Sequence, residues 1–190
     1  NLKWLPSYCV HGDQDNIVPT RFSRLLTEEL KERRYDHTYV EIEGANHFLD
    51  FDENGSMMRE VIKWLQPRKR ILHPPEVIHV IIDDDHPRQH WLRIDARNDD
   101  KKPAKIHGRI AKKNTIVVES ENVAAFTIFI DNDRLREKSS ITVTHNGEQV
   151  HKGKVKESID ALVESWKGRR DPNLLHTRMI TVDVGVKEDR

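Results

Sequence analysis

The stretch Ser7-Tyr8-Cys9-Val10-His11-Gly12-Asp13-Gln14-Asp15-Asn16-Ile17-Val18-Pro19-Thr20 decides how the first third of the chain is read. Ser7–Val10 is a short apolar run that ends at His11-Gly12, which predicts a strand entering a tight loop. Pro19-Thr20 opens a helical stretch to about Arg34, with Phe22, Leu25, Leu26 and Leu30 on one face. Thr38-Tyr39-Val40-Glu41-Ile42 alternates like a strand and leads into the loop Gly44-Ala45-Asn46-His47. A second helix is predicted from about Asn54 to Gln66, with Met57, Met58, Val61, Ile62 and Leu65 as its apolar face, and Pro67 stops it. Strand, helix, strand, helix is the order of a parallel sheet with crossover helices.

Beyond Arg68-Lys69-Arg70, a solvated linker, and the pair Pro74-Pro75 the pattern changes. Strand signals follow at Val77–Ile82, Trp91–Ala96, Ala104–Ala111, Thr115–Glu119, Ala124–Ile130, Ile141–Thr144 and Gln149–Val155. Turns are predicted at Asn98-Asp99-Asp100, Lys112-Lys113-Asn114, Asp131-Asn132-Asp133 and Asn146-Gly147, the last a strong hairpin signal. A helix from Ser158 to about Lys167 is expected to pack Ile159, Leu162, Val163 and Trp166 onto the neighbouring strands or across the domain junction, and Thr177–Val184 returns as a strand. Short strands at this spacing predict an all-β, Ig-like antiparallel sandwich with one helix. Its expected core includes Val80, Trp91, Ile94, Ile106, Val117, Phe126, Ile128, Ile141 and Val143. The domain plan is therefore 1–68, a linker at 69–76, and 77–186.

Composition narrows the function. The 190 residues are 36% hydrophobic, enough for an economical core. Lys+Arg and Asp+Glu are both 32, and the balance holds within residues 1–70 as well. A non-specific nucleic-acid binder needs a basic excess, so no nucleic-acid partner is expected. One cysteine excludes an intrachain disulfide framework and a Cys-based zinc cluster. No apolar run approaches the length of a spanning helix, so no membrane partner is expected. Asn1–Pro6 has no signal-peptide apolar region, so either the chain is not exported or this is not the true start. Compartment is not legible.

The residues best placed for chemistry are Asp15 and His47. Each sits just past the end of one of two successive strands, and adjacent parallel strands place such ends side by side. A carboxylate that accepts from one imidazole nitrogen fixes the tautomer and leaves the other nitrogen as a base. With the helix and strand between them, His-Gly-x-x-Asp-x-x-Val-Pro and Gly-x-x-His resemble the end of an α/β-hydrolase domain of the prolyl oligopeptidase and dienelactone hydrolase-like branch. The resemblance covers roughly residues 1–68. It implies a partial α/β-hydrolase with a parallel sheet, in which Asp15 matches the triad acid and His47 the triad base. That family's serine lies upstream on a Gly-x-Ser-x-Gly elbow. None of the eight serines here sits between glycines. The chain is therefore expected to be the C-terminal piece of a longer hydrolase, inactive alone.

The expected activity is that of a serine hydrolase of peptidase or carboxylesterase type, acting on a small peptide or ester through the parent enzyme. The expected partner is the missing N-terminal hydrolase half, or a second copy. The alternative is a non-catalytic module in which the sandwich binds a protein or glycan. No cofactor or metal is expected. Asp83-Asp84-Asp85-His86 offers oxygens that suit calcium but lacks the glycine and distal Glu of a calcium loop, and reads as a solvated turn. His11 reads as structural and Cys9 as a small buried hydrophobe. The remaining histidines read as surface or strand-face residues.

Overall fold

The computed structural model describes residues 1–49, 56–112, 114–130, 135 and 139–185. Asn54, Lys113, the predicted turn at Asp131-Asn132-Asp133 and the last residue of the 77–186 domain lie outside them. The chain divides into two compact units, one of Leu2–Ile71 and one of Leu72–Arg190 together with Asn1.

The first unit contains β1 (Ser7–Gly12), α1 (Arg21–Glu32), β2 (His37–Ile42) and α2 (Ser56–Leu65). β1 and β2 pair in parallel, from Ser7 opposite His37 to Gly12 opposite Ile42. The expected partial α/β-hydrolase with its parallel sheet is not what the chain forms. Among the described residues the parallel sheet stops at these two strands, and the protein is mostly β, 38% strand against 20% helix, with three helices and mixed sheets. A parallel core is covered on both faces, whereas here the expected inward face of α1 is open, with Phe22 52% and Leu25 57% exposed. Met58, Ile62 and Leu65 of α2 are exposed too. Among the described residues of this unit, Leu30 is the buried apolar side chain.

Polar contacts join the helices to the strands beside half-buried apolar side chains such as Val10, Val40, Ile42 and Val61. Arg24 on α1 forks onto Glu41 of β2, with Nε donating to Oε2 at 2.9 Å and Nη2 to Oε1 at 2.5 Å. Tyr39 Oη donates to the same carboxylate at 2.7 Å. Trp64 of α2 donates to Thr38 Oγ1 at 2.9 Å, and its ring meets Tyr8 edge-on.

The second unit contains β3 (Glu76–Ile81), β4 (Arg88–Gln89), β5 (Leu92–Arg97), β6 (Ala104–Ala111), β7 (Thr115–Glu121), β8 (Val123–Phe129), β9 (Ile141–His145), β10 (Glu148–Gly153), α3 (Ile159–Arg169) and β11 (Met179–Asp183). They form a five-stranded sheet, β10-β9-β7-β6-β3, and a four-stranded sheet, β11-β8-β5-β4. The expected antiparallel sandwich is corrected here, because β7 and β9 run parallel and make the larger sheet mixed. Both sheets supply one apolar core, including Trp91, Leu92, Ile106, Phe126, Ile128 and Ile141. Trp91 is buried with its Nε1–H donating to the Pro74 carbonyl at 2.8 Å. Gly108 makes room for that indole: a Cβ there would stand 2.8 Å from it.

The Asn146-Gly147 turn closes β9 onto β10, with both residues at positive φ (48° and 90°), as a two-residue hairpin of this hand requires. Three side-chain expectations are corrected. Val80 is 37% exposed, because β3 turns Val77, His79 and Ile81 inward. The buried His79 is satisfied by the His86 carbonyl at 2.9 Å. Val117 is only partly buried, while Ile116 and Val118 face the core. On α3, Ile159, Leu162, Val163 and Trp166 stay exposed, and Ala161 and Ser165 are the buried face. Small residues four apart let the helix approach closely, and Ser165 Oγ accepts from the His176 backbone N–H at 3.0 Å. Ser158 caps α3 by accepting from the Ala161 N–H at 3.1 Å.

Candidate active site

Two loops, one after β1 and one after β2, interlock. Asp13 N–H donates to the Ile42 carbonyl at 3.1 Å and Gln14 N–H to the Ala45 carbonyl at 2.9 Å. Asp13 Oδ1 accepts from Gly44 N–H at 2.7 Å, across a residue whose φ of 73° suits glycine. Gly12 lies against the second loop so closely that a Cβ would stand 2.6 Å from the Asn46 carbonyl oxygen, and it would strike the Ala45 carbonyl as well. A side chain at position 12 therefore displaces the backbone that leads into His47.

This interlock brings Asp15 and His47 together. Asp15 Oδ1 accepts from the backbone N–H groups of Ile17 at 2.9 Å and Val18 at 2.8 Å. That fixes the plane of the carboxylate and leaves Oδ2 for His47 Nδ1, at 2.9 Å. An ionised carboxylate can only accept, so His47 carries its proton on Nδ1. Nε2 then has its lone pair free, with no hydrogen bond among the described residues. The Asp15 side chain is 5% exposed and the His47 side chain 37%, so the acid is shielded while the imidazole is within reach. Burial pushes the Asp15 carboxyl up. The hydrogen bond from His47, the N–H groups of Val18 and Ile17 and the charge His47 carries once protonated more than offset this, and hold it well below the usual carboxylate range.

The sequence reading missed two members of the site. His11 Nε2 lies 3.0 Å from the same Asp15 Oδ2, and His11 Nδ1 lies 2.5 Å from Ser23 Oγ on α1. The four-residue spacing from His11 to Asp15 was the available signal for the first. Ser23 gave none, because its approach depends on how α1 lies over β1. Cys9 is half-buried rather than enclosed. In the second unit Asp84 pairs with Arg97 at 3.1 Å and Asp83 Oδ1 accepts from Asp85 N–H, the bonding of a turn. Among the described residues no group of three or more His, Cys, Asp or Glu side chains is placed to hold a metal ion, and no helix is long and apolar enough to cross a membrane.

The pair of Asp15 and His47 is arranged so that the carboxylate orients the ring and Nε2 could accept and return one proton. Compared with protein-family models, curated proteins and solved structures, the chain matches none, and the chemistry of the site rests on its own residues.

Proposed function

We propose that Asp15 and His47 are the acid and base of a serine hydrolase of the peptidase or carboxylesterase type, whose nucleophilic serine lies outside this sequence. The observation that carries the proposal is the 2.9 Å contact between Asp15 Oδ2 and His47 Nδ1, with the Asp15 carboxylate fixed by two backbone N–H groups and Nε2 left free. In this reading His47 Nε2 takes the serine proton as Oγ attacks the acyl carbon of a small peptide or ester. His47 then gives that proton to the leaving group, and Asp15 holds the ring throughout. The exposed apolar residues of α1 and α2 support the reading as the surface that the serine-bearing polypeptide covers.

Activated esters and prolyl amides are the test substrates. This chain alone should show only solvent background. A longer polypeptide encoded by its gene should turn over one of them, and His47→Ala in it should remove most of the rate, because triad members act as a unit. A longer polypeptide that is inert, or indifferent to His47→Ala, contradicts the proposal. Robust turnover by this chain that vanishes in His47→Ala places the nucleophile within it, with Cys9 the first candidate.

A second reading has one observation in its favour. Ile159, Leu162, Val163 and Trp166 form an exposed apolar stripe on α3, which suits a non-catalytic role in which the two-sheet unit binds another molecule.

A further inference from the structure

Asp15 carries two imidazoles. Oδ2 meets His47 Nδ1 at 2.9 Å and His11 Nε2 at 3.0 Å, while Oδ1 takes the Ile17 and Val18 N–H groups. His11 Nε2 also lies 2.9 Å from the Val18 carbonyl. It faces two oxygens that can only accept, so it must carry a hydrogen. In the neutral ring this leaves Nδ1 as an acceptor, and Ser23 Oγ–H donates to it from 2.5 Å. The tautomer of His11 is thus set at both ends. The His11 and Asp15 side chains are 9% and 5% exposed, so water competes little for these bonds. The other polar groups nearby belong to β2 and α1. Glu41, the register partner of His11, is engaged by Arg24 and Tyr39.

We propose that His11 and Ser23 are positioning residues of the Asp15–His47 pair: Ser23 holds the His11 ring with its proton on Nε2, and that N–H occupies part of the Asp15 carboxylate beside His47. The inference rests on the acid–base reading of that pair. One consequence follows from the geometry: His11 draws off part of the negative charge that His47 feels. This effect has a sign that loosening cannot mimic. A merely loosened site weakens the carboxylate's hold on His47 and lowers its proton affinity. Removing a competing donor from an intact carboxylate strengthens that hold and raises it.

The test is the titration of His47 in this chain, followed by imidazole nitrogen NMR in wild type, Asp15→Asn, His11→Leu, His11→Gln and Ser23→Ala. Asp15→Asn should lower the His47 midpoint. His11→Leu should raise it by about half a unit or more, since it removes a donor from a shared carboxylate. Ser23→Ala, which keeps the ring and removes only its second hydrogen bond, should raise it by less. His11→Gln restores an amide N–H and should bring the midpoint back towards wild type. A midpoint that falls in His11→Leu shows only loosening, and one unchanged in both His11→Leu and Ser23→Ala shows no coupling; either overturns the proposal. If His11→Leu does not fold, Ser23→Ala decides by the same sign. A His47 titration identical in wild type and Asp15→Asn would instead overturn the acid–base pairing on which the proposal rests.

Discussion

The two units of this chain are held by different forces. Leu72–Arg190 is organised around a continuous apolar core to which both of its sheets contribute, and the buried His79 and Trp91 each reach a backbone carbonyl. Leu2–Ile71 buries the one apolar side chain Leu30 among its described residues. Its strands, helix α1 and loops are joined by the Arg24–Glu41–Tyr39 cluster, the Asp13–Gly44 bond and the close seat of Gly12. Apolar burial is non-directional and tolerates some change of shape. Directional polar pins fix the positions of individual side chains at less cost in buried area. The Asp15–His47 pair is found in the unit where geometry, rather than area, is the organising element.

The sharpest break of this contrast is in the core. Phe126→Ala should cost about 3–5 kcal/mol, the usual toll for truncating a buried aromatic, read as a lowered denaturant midpoint. A loss below about 1 kcal/mol would show that the core is looser than its burial implies. Gly12→Ala comes next, at about 1–3 kcal/mol for an overpacked contact. Its more telling effect is on the site, where the displaced 45–46 backbone should break the Asp15–His47 hydrogen bond and abolish the downfield Nδ1 proton signal. Survival of that signal would mean that the loop yields without moving His47.

The smallest effect concerns the polar cluster. The Arg24 fork and the Tyr39 hydroxyl hold the Glu41 carboxyl at about 2, below its ordinary 4.5. A depressed folded value gives stability that is full above the ordinary value and is lost as pH falls from there towards about 2. The unfolding midpoint of the first unit should therefore decline over that window, and Glu41→Gln should flatten the decline. A decline of equal size in Glu41→Gln would assign it to other carboxylates.

The sequence made some of this legible. Asn146-Gly147 announced its hairpin, because few residue pairs accept two successive positive φ values. Asp15 and His47 were visible because each follows a strand end and parallel neighbours align such ends. Strand-helix-strand-helix was also visible, but local order cannot count the strands in a sheet, and it suggested a parallel core where, among the described residues, β1 pairs with β2 alone. The parallel pairing of β7 with β9 had no local signal, since partner choice is a long-range matter. In Ile116-Val117-Val118 and Val77–Ile81 both faces look apolar, so parity could not be read, and the buried imidazole of His79 was passed over for Val80. On α3 hydrophobicity pointed to Trp166 and Ile159, whereas close approach selected Ala161 and Ser165.

If Asp15 fixes the tautomer of His47, the imidazole nitrogen spectrum of this chain near neutral pH will show it. His47 should be protonated on Nδ1 and bare on Nε2, with that preference lost in Asp15→Asn. A His47 that shows the same mixture of tautomers in wild type and Asp15→Asn would contradict it.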